Sequence, residues 1–235
     1  MSGKKCLVTG ASRGIGKSIV KRLLEAGSLV VATASTDKGL SALKIEFSEF
    51  GENLLTIKAD ISLNAEVHML CQSVTSAVGE IDVLINNAGI LCLESLQNSS
   101  EEMLRKSFEI NFFSAFFLSR YFSHAMISKK SGAIINMCSS SAYTGGGAPG
   151  HSIYASTKHA LLGLTRALDE ELREYNIRVG SVSPAGVSTE MMTDRADLDH
   201  STFMTADEVA DAVIFMLNSN GQGIVYEMRM WRKNR

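Results

Sequence analysis

Thr9-Gly10-Ala11-Ser12-Arg13-Gly14-Ile15-Gly16 decides the fold of this chain. It stands between a short apolar run, residues 4–9, and residues 14–26, where Ile15, Ile19, Val20, Leu23 and Leu24 recur at helical spacing. A strand that turns through closely spaced glycines into a helix begins a βαβ unit. Glycines let the backbone turn sharply and lie close to a pyrophosphate. The helix N-terminus then offers free N–H groups and the positive end of its dipole. A lone GxxxGxG also describes an ordinary tight turn. The strand before it and the helix after it favour a dinucleotide site, with Gly10, Ser12, Arg13, Gly14, Ile15 and Gly16 as its candidate contacts.

The same alternation continues outward. Strand-like runs at residues 29–33, 54–58, 82–86, 133–138, 177–183 and 224–230 are separated by amphipathic segments at 37–50, 63–78, 100–127, 151–175 and 205–217. Gly27 is placed to close the first helix. The segment 100–127 is expected to break or bend near Asn111. Several runs are almost continuously apolar, which suits a parallel sheet covered on both faces. The expected fold class is α/β: a doubly wound, mostly parallel, Rossmann-like sheet of about seven strands, in one domain over residues 1–235. Ligands of such sheets bind at the carboxyl ends of the strands.

Composition removes other classes. A hydrophobic share of 45% supports a globular core, and a net charge of −2 gives no footprint for nucleic acid or an anionic membrane. No apolar run reaches eighteen residues, and Met1-Ser-Gly-Lys-Lys-Cys6 leads into a strand without a secretory apolar stretch. Cys6, Cys71, Cys92 and Cys138 are scattered and read as reduced thiols of a cytoplasmic protein, not as a zinc site or disulfide frame. Arg229, Arg232, Lys233 and Arg235 read as a short solvated basic tail.

Charge points to NADP in preference to NAD. An NAD site places a carboxylate at the end of the second strand, against the ribose 2′-hydroxyl. Here that region reads Val31-Ala-Thr-Ala-Ser-Thr36, with no acid before Asp37, which is expected to cap the second helix. Arg13 can hold a 2′-phosphate with its fork of donors, and Ser35 and Thr36 can add hydroxyls. Asp60-Ile61 ends the third strand, where the aspartate either accepts from the adenine amino group or serves as a cap or turn residue. Asn86-Asn87-Ala88-Gly89 ends the fourth. Its small residues admit the cofactor, and its amides can tie neighbouring strands.

Tyr154-Ala-Ser-Thr-Lys158 places a phenol and an ammonium at i and i+4, on one face of a helix. A neighbouring ammonium favours the phenolate and is expected to lower the phenol's pKa toward neutrality, as a proton donor and acceptor needs.

Together these patterns resemble the short-chain dehydrogenase/reductase family, in its compact single-domain branch. TGxxxGIG at residues 9–16, NNAG at 86–89, Asn111, a serine cluster after the fifth strand and YxxxK at 154–158 stand in the family's order. The resemblance covers roughly residues 4 to 230. It implies that Tyr154 is the general acid or base toward a carbonyl or hydroxyl, and that Lys158 tunes it and holds the nicotinamide ribose. Asn111 would support a water-linked proton relay, and a serine would orient the substrate oxygen. Counting back from Tyr154 gives Ser141, whereas counting forward from the strand gives Ser139. Ser139 is preferred, with two extra residues placed in the loop 143–150. Asn87, Ala88, Gly89, Pro184, Val187 and Thr189 would contact the cofactor. The helices carrying the Phe108–Phe117 aromatic stripe and Tyr154 would form a homodimer or homotetramer interface.

Three departures bear on substrate. Pro184-Ala185-Gly186 replaces Pro-Gly, so Ala185 narrows the space beside the nicotinamide. Residues 190–204 are short and polar, forming either a small lid or a surface loop. The chain ends on an alternating segment, 225–231, in place of a glycine-rich one. His68, His124 and His159 have no partners at ligand spacing, so no metal is expected; His151 flanks the pocket or starts a helix. The expected activity is NADP(H)-dependent hydride transfer to or from a carbonyl or secondary alcohol, of the carbonyl or 3-oxoacyl reductase type. A catalytically silent NADP-binding sensor or scaffold is the rival from another class, and an epimerase or dehydratase with retained nicotinamide is a second.

Overall fold

In the computed structural model, residues 1–143, 149–192, 199–219 and 223–232 are described. Seven parallel strands form one sheet in the order β3-β2-β1-β4-β5-β6-β7. They are β1 (Lys5–Thr9), β2 (Leu29–Ala34), β3 (Leu54–Lys58), β4 (Val83–Asn86), β5 (Gly132–Met137), β6 (Ile177–Pro184) and β7 (Glu227–Met230). The helices are α1 (Gly14–Glu25), α2 (Asp37–Glu46), α3 (Asn64–Val78), α4 (Glu101–Phe108), α5 (Ser114–Lys129), α6 (Ser152–Leu172) and α7 (Ala206–Asn218). The strand order reverses between β1 and β4, and a crevice opens there at the carboxyl ends.

Strand alternation divides the core into two layers. Cys6 and Val8 of β1, with Val30 and Ala32 of β2, face Ile19 and Leu23 of α1 and Val209 and Val213 of α7. Leu7 and Val31, on the opposite pleat, face Leu70 and Val74 of α3 and Leu118 and Phe122 of α5. Both faces are therefore dry, which is why the strands read as nearly unbroken apolar runs. Arg178 closes the end of α7 by donating to the carbonyls of Met216, Leu217 and Ser219. The thiols of Cys6 and Cys71 are buried, and desolvation pushes each up to about 12.

Four expectations are corrected in detail. The second helix stops at Glu46, because a 3₁₀ turn over Ser48–Asn53 follows, with Gly51 at φ +53°. Its cap is Thr36, whose hydroxyl accepts from the Gly39 N–H; Asp37 instead pairs with Lys58 at 2.9 Å. The last strand spans only four residues, with Met228 and Met230 turned into the core. The basic run is not one solvated tail: Arg229 belongs to β7, where it is exposed with its guanidinium 3.9 Å from the centre of the Tyr143 ring, and Arg232 is half-buried. Lys233, Arg235 and the centres of the loop 143–150 and of the segment 190–204 lie outside the described residues.

The break near Asn111 is real and has a defined form. Between α4 and α5 the chain makes a π-helical turn, Glu109–Phe113. The widened turn displaces a carbonyl, and the Ser114 hydroxyl bonds Ile110 O at 2.7 Å.

Candidate active site

One cleft of about 510 Å³ runs across the carboxyl ends of the sheet. Apart from Asn111, and from Thr36, which caps α2, the sequence-predicted site residues line it: Gly10, Ser12, Arg13, Gly14, Ile15 and Gly16 of the glycine loop, Ser35, Asp60, Ile61, Asn87 to Gly89, Ser139, Ser141, Tyr154, Lys158, Pro184, Val187 and Thr189. Asn111 lies one layer behind.

At the glycine end the backbone leaves no room for side chains. A Cβ on Gly16 would stand 2.2 Å from Gly10 O, and one on Gly10, at φ +62°, 2.8 Å from the Ala88 Cα. The Asn87 amide holds this arrangement by donating to Thr9 O and Gly10 O, and the Thr9 hydroxyl accepts from the N–H groups of Asn87 and Ala88. The N-cap of α1 is Arg13, in extended conformation and with no side-chain capping bond, and no acid occupies the first turn. The first turn thus offers its N–H groups at the cleft with no acid of its own, as a pyrophosphate site needs, and the nearby carboxylate is that of Glu190, 3.6 Å from where a Cβ on Gly14 would stand. These features fit a dinucleotide. At the adenosine end, Arg13 and Ser35 line the wall, while Asp37 is engaged by Lys58. Asp60 accepts from the Ser62 N–H and hydroxyl, so it forms a turn and also borders the cleft.

Behind the cleft runs a buried polar chain. Asn86 donates to Asn136, its register partner on β5, and to Ser119; Asn136 donates in turn to Thr165 of α6. The sequence reading passed over Asn136, although a lone amide inside the apolar run 133–138 was a visible signal.

Asn111 is buried at 1% exposure. Its Oδ1 accepts from the Ile90 N–H at 2.8 Å, and its Nδ2 donates to Ile90 O and to the Thr157 hydroxyl, each at 3.0 Å. It thereby pins the segment after β4 to the helix that carries Tyr154. Gly89 sits between Asn111 and Lys158: a Cβ there would be 3.2 Å from Oδ1 and 3.4 Å from Nζ.

Tyr154 and Lys158 share the cleft wall, with Nζ 5.8 Å from the ring centre. Lys158 is buried and donates to Met137 O at 2.8 Å. Desolvation dominates both groups. It raises the phenol above its ordinary 10, against a smaller downward pull from the Ser139 hydrogen bond, and it lowers the ammonium below 10.5. The expected lowering of the phenol by Lys158 does not appear: burial sets the direction, and Nζ donates to the Met137 carbonyl. The phenol stays protonated at neutral pH, ready to donate.

Of the two candidate serines, Ser139 is the one whose hydroxyl lowers the phenol's pKa against the effect of burial. It lies two residues past β5 in extended conformation, and its Oγ accepts from Ser141 N at 3.1 Å. Ser141 borders the cleft from the short 3₁₀ turn Ser140–Ala142. His151 fills both roles open to it, as N-cap of α6 and as a lining residue. The sequence also missed Met191, Met192, Phe203 and Arg232, all of which line the cleft. Ala185 lines it too, with its N–H held by Met230 O at 2.9 Å. Among the described residues no group of three or more metal-ligating side chains gathers, and no helix is long and apolar enough to cross a membrane.

Comparison with known proteins agrees with this geometry. Residues 4–199 match the family model for short chain dehydrogenase. The chain is 31% identical over 234 residues to the 3-oxoacyl-[acyl-carrier-protein] reductase FabG of Escherichia coli, covering 96% of this chain and 94% of that protein. It is 35% identical over 192 residues to the hydroxynaphthalene reductase-like protein Arp2 of Metarhizium brunneum, covering 81% of this chain and 71% of that protein. Among solved structures, a metagenomic short-chain oxidoreductase in complex with NADP superposes with a TM-score of 0.85 at 29% identity, over 100% of this chain and 99% of that one.

Proposed function

From the premise that this chain belongs to the short-chain dehydrogenase family, we propose that it is an NADP(H)-dependent oxidoreductase acting on a carbonyl or secondary alcohol. The observation that carries the reading is convergence: Ser139, Tyr154 and Lys158 line the same cleft as the uncapped glycine loop. Bound there, NADPH supplies the hydride. The protein's own part is positioning and proton transfer.

Each residue then has a role. Ser139, two residues past β5, hydrogen-bonds the substrate oxygen beside the phenol. Tyr154 gives that oxygen its proton during reduction and takes it back during oxidation. Its raised pKa suits the first direction, because the protonated form is the resting one. Lys158, anchored to Met137 O, keeps N–H donors for the nicotinamide ribose hydroxyls. Asn111 acts as a positioning residue through Ile90 and Thr157. Arg13 and Ser35 receive the 2′-phosphate that distinguishes NADP, and the Asp37–Lys58 pair keeps a carboxylate from competing for that place.

The half-exposed Leu104, Phe113, Phe116 and Tyr121, on α4, α5 and the π-helical turn between them, support a homodimer or homotetramer, which light scattering would test against a monomer. The activity itself is tested by a steady-state panel of acetoacetyl thioesters, dicarbonyls, quinones, ketosteroids and oxo acids with NADPH and NADH. Stoichiometric NADPH consumption is expected. A bound nicotinamide that is never consumed would favour an epimerase, and no turnover with any member would favour a silent sensor.

A further inference from the structure

Arg232 lies two residues past β7, at the far edge of the sheet from the adenosine end. The strand end is tied to the segment after β6 by the Ala185 N–H bond to Met230 O. Gly186, next along, carries the Phe203 ring against it, since a Cβ there would be 3.0 Å from a ring carbon. The Arg232 guanidinium stands 5.3 Å from the centre of that ring, and Nη1 donates to the Thr202 hydroxyl at 3.3 Å. A planar cation held over an aromatic face keeps a fixed orientation.

Among the described residues no carboxylate is paired with this guanidinium. Arg22, Arg105, Arg166 and Arg173 each pair with a carboxylate. Arg232 has no carboxylate within 4.0 Å among the described residues. Asp199 feels its charge, but the Asp199 Oδ1 already accepts from the Ser201 N–H and hydroxyl. Arg232 is half-buried in the wall of the catalytic cleft, and among the described residues Thr202 is the one hydrogen-bond partner of its donor fork. Arg13, at the opposite end where a phosphate is expected, likewise has no carboxylate within 4.0 Å among the described residues. The other cation near the phenol, Lys158, is bound to Met137 O.

We propose that Arg232 is a specificity-determining residue that binds the carboxylate of the substrate, so that the preferred substrates are oxo acids and their hydroxy-acid counterparts. An open guanidinium fork matches a carboxylate with two parallel hydrogen bonds and rejects a neutral group of the same shape. The proposal rests on the carbonyl-reductase reading of Tyr154.

The test compares acetoacetate with its methyl ester, using the full-length enzyme with NADPH. The wild type is expected to show a higher kcat/KM for the acid. In Arg232→Gln the acid-to-ester ratio falls by about 10- to 100-fold, mostly through KM, and Arg232→Lys recovers part of it. The chain has a single tryptophan, Trp231, beside Arg232. Acetoacetate is therefore expected to change the tryptophan emission of the NADP⁺-loaded wild type and not of Arg232→Gln, a binding readout that needs no turnover. A ratio that is the same in wild type and Arg232→Gln overturns the proposal and leaves the role of Tyr154 standing. An enzyme that reduces neither compound, nor any other carbonyl, removes the underlying reading instead.

Discussion

Replacing Asn111 with alanine removes three hydrogen bonds at once: one from the Ile90 N–H, one to Ile90 O and one to the Thr157 hydroxyl. Each is worth about 1 kcal/mol net, and a buried backbone N–H left without a partner costs about 1–3 kcal/mol more. Ile90 is half-buried beside the cleft, so water can recover part of that penalty. The expected loss is about 3 kcal/mol, a large fraction of the ~5–15 kcal/mol that stabilises a typical domain. With a urea slope of about 3 kcal/mol/M, the unfolding midpoint drops by about 1 M. Activity falls further than stability, because the segment after β4 and the Tyr154 helix lose their common anchor. A cycle with Thr157→Val isolates the Asn111–Thr157 bond, with an expected coupling of about 1 kcal/mol. A midpoint within about 0.2 M of wild type would refute the reasoning, since these bonds would then carry no net stability.

Two further outcomes follow from the charged groups. Arg13→Gln raises KM for NADPH by about 10- to 100-fold and changes that for NADH far less, measured by initial rates; equal effects on both cofactors would remove Arg13 from the 2′-phosphate. The Glu227 carboxyl is held below its ordinary 4.5, first by hydrogen bonds from Arg166, at 2.6 and 3.0 Å. A depressed folded pKa gives stability that is present above 4.5 and is lost as pH falls through the folded value. Because Arg166 is 56% exposed, the stability gap between wild type and Glu227→Gln, read from urea unfolding, is small, under about 1 kcal/mol. It is widest near neutrality and closes in acid; a gap independent of pH would contradict the pairing.

Local signals carried most of the architecture. The glycine loop, the apolar strands and the break at Asn111 were legible because each is written in a few contiguous residues with a fixed period. The shared cleft was legible because parallel strands deliver their carboxyl ends to one side. What escaped depends on distant partners. Asp37 stood where a cap belongs, but Lys58 on β3 takes it and leaves Thr36 to cap. The phenol's pKa was judged from one neighbour four residues away, whereas the desolvation that raises it comes from the walls of the folded cleft. Arg232 looked like part of a solvated tail because nothing in a basic C-terminal run reveals that Thr202 and Phe203 fold beneath it. The choice between Ser139 and Ser141 depended on where extra loop residues were placed, and the fold brings both serines to the cleft wall.

The central claim is that the Tyr154 phenol transfers a proton in a cleft built to hold a reduced nicotinamide nucleotide. Tyr154→Phe deletes one oxygen and keeps the ring, so turnover and cofactor binding can be measured on the same variant. Carbonyl reduction is expected to fall by about 10²- to 10⁴-fold, while NADPH, followed by calorimetry, binds within a few-fold of wild type. Undiminished reduction by that variant would contradict the account.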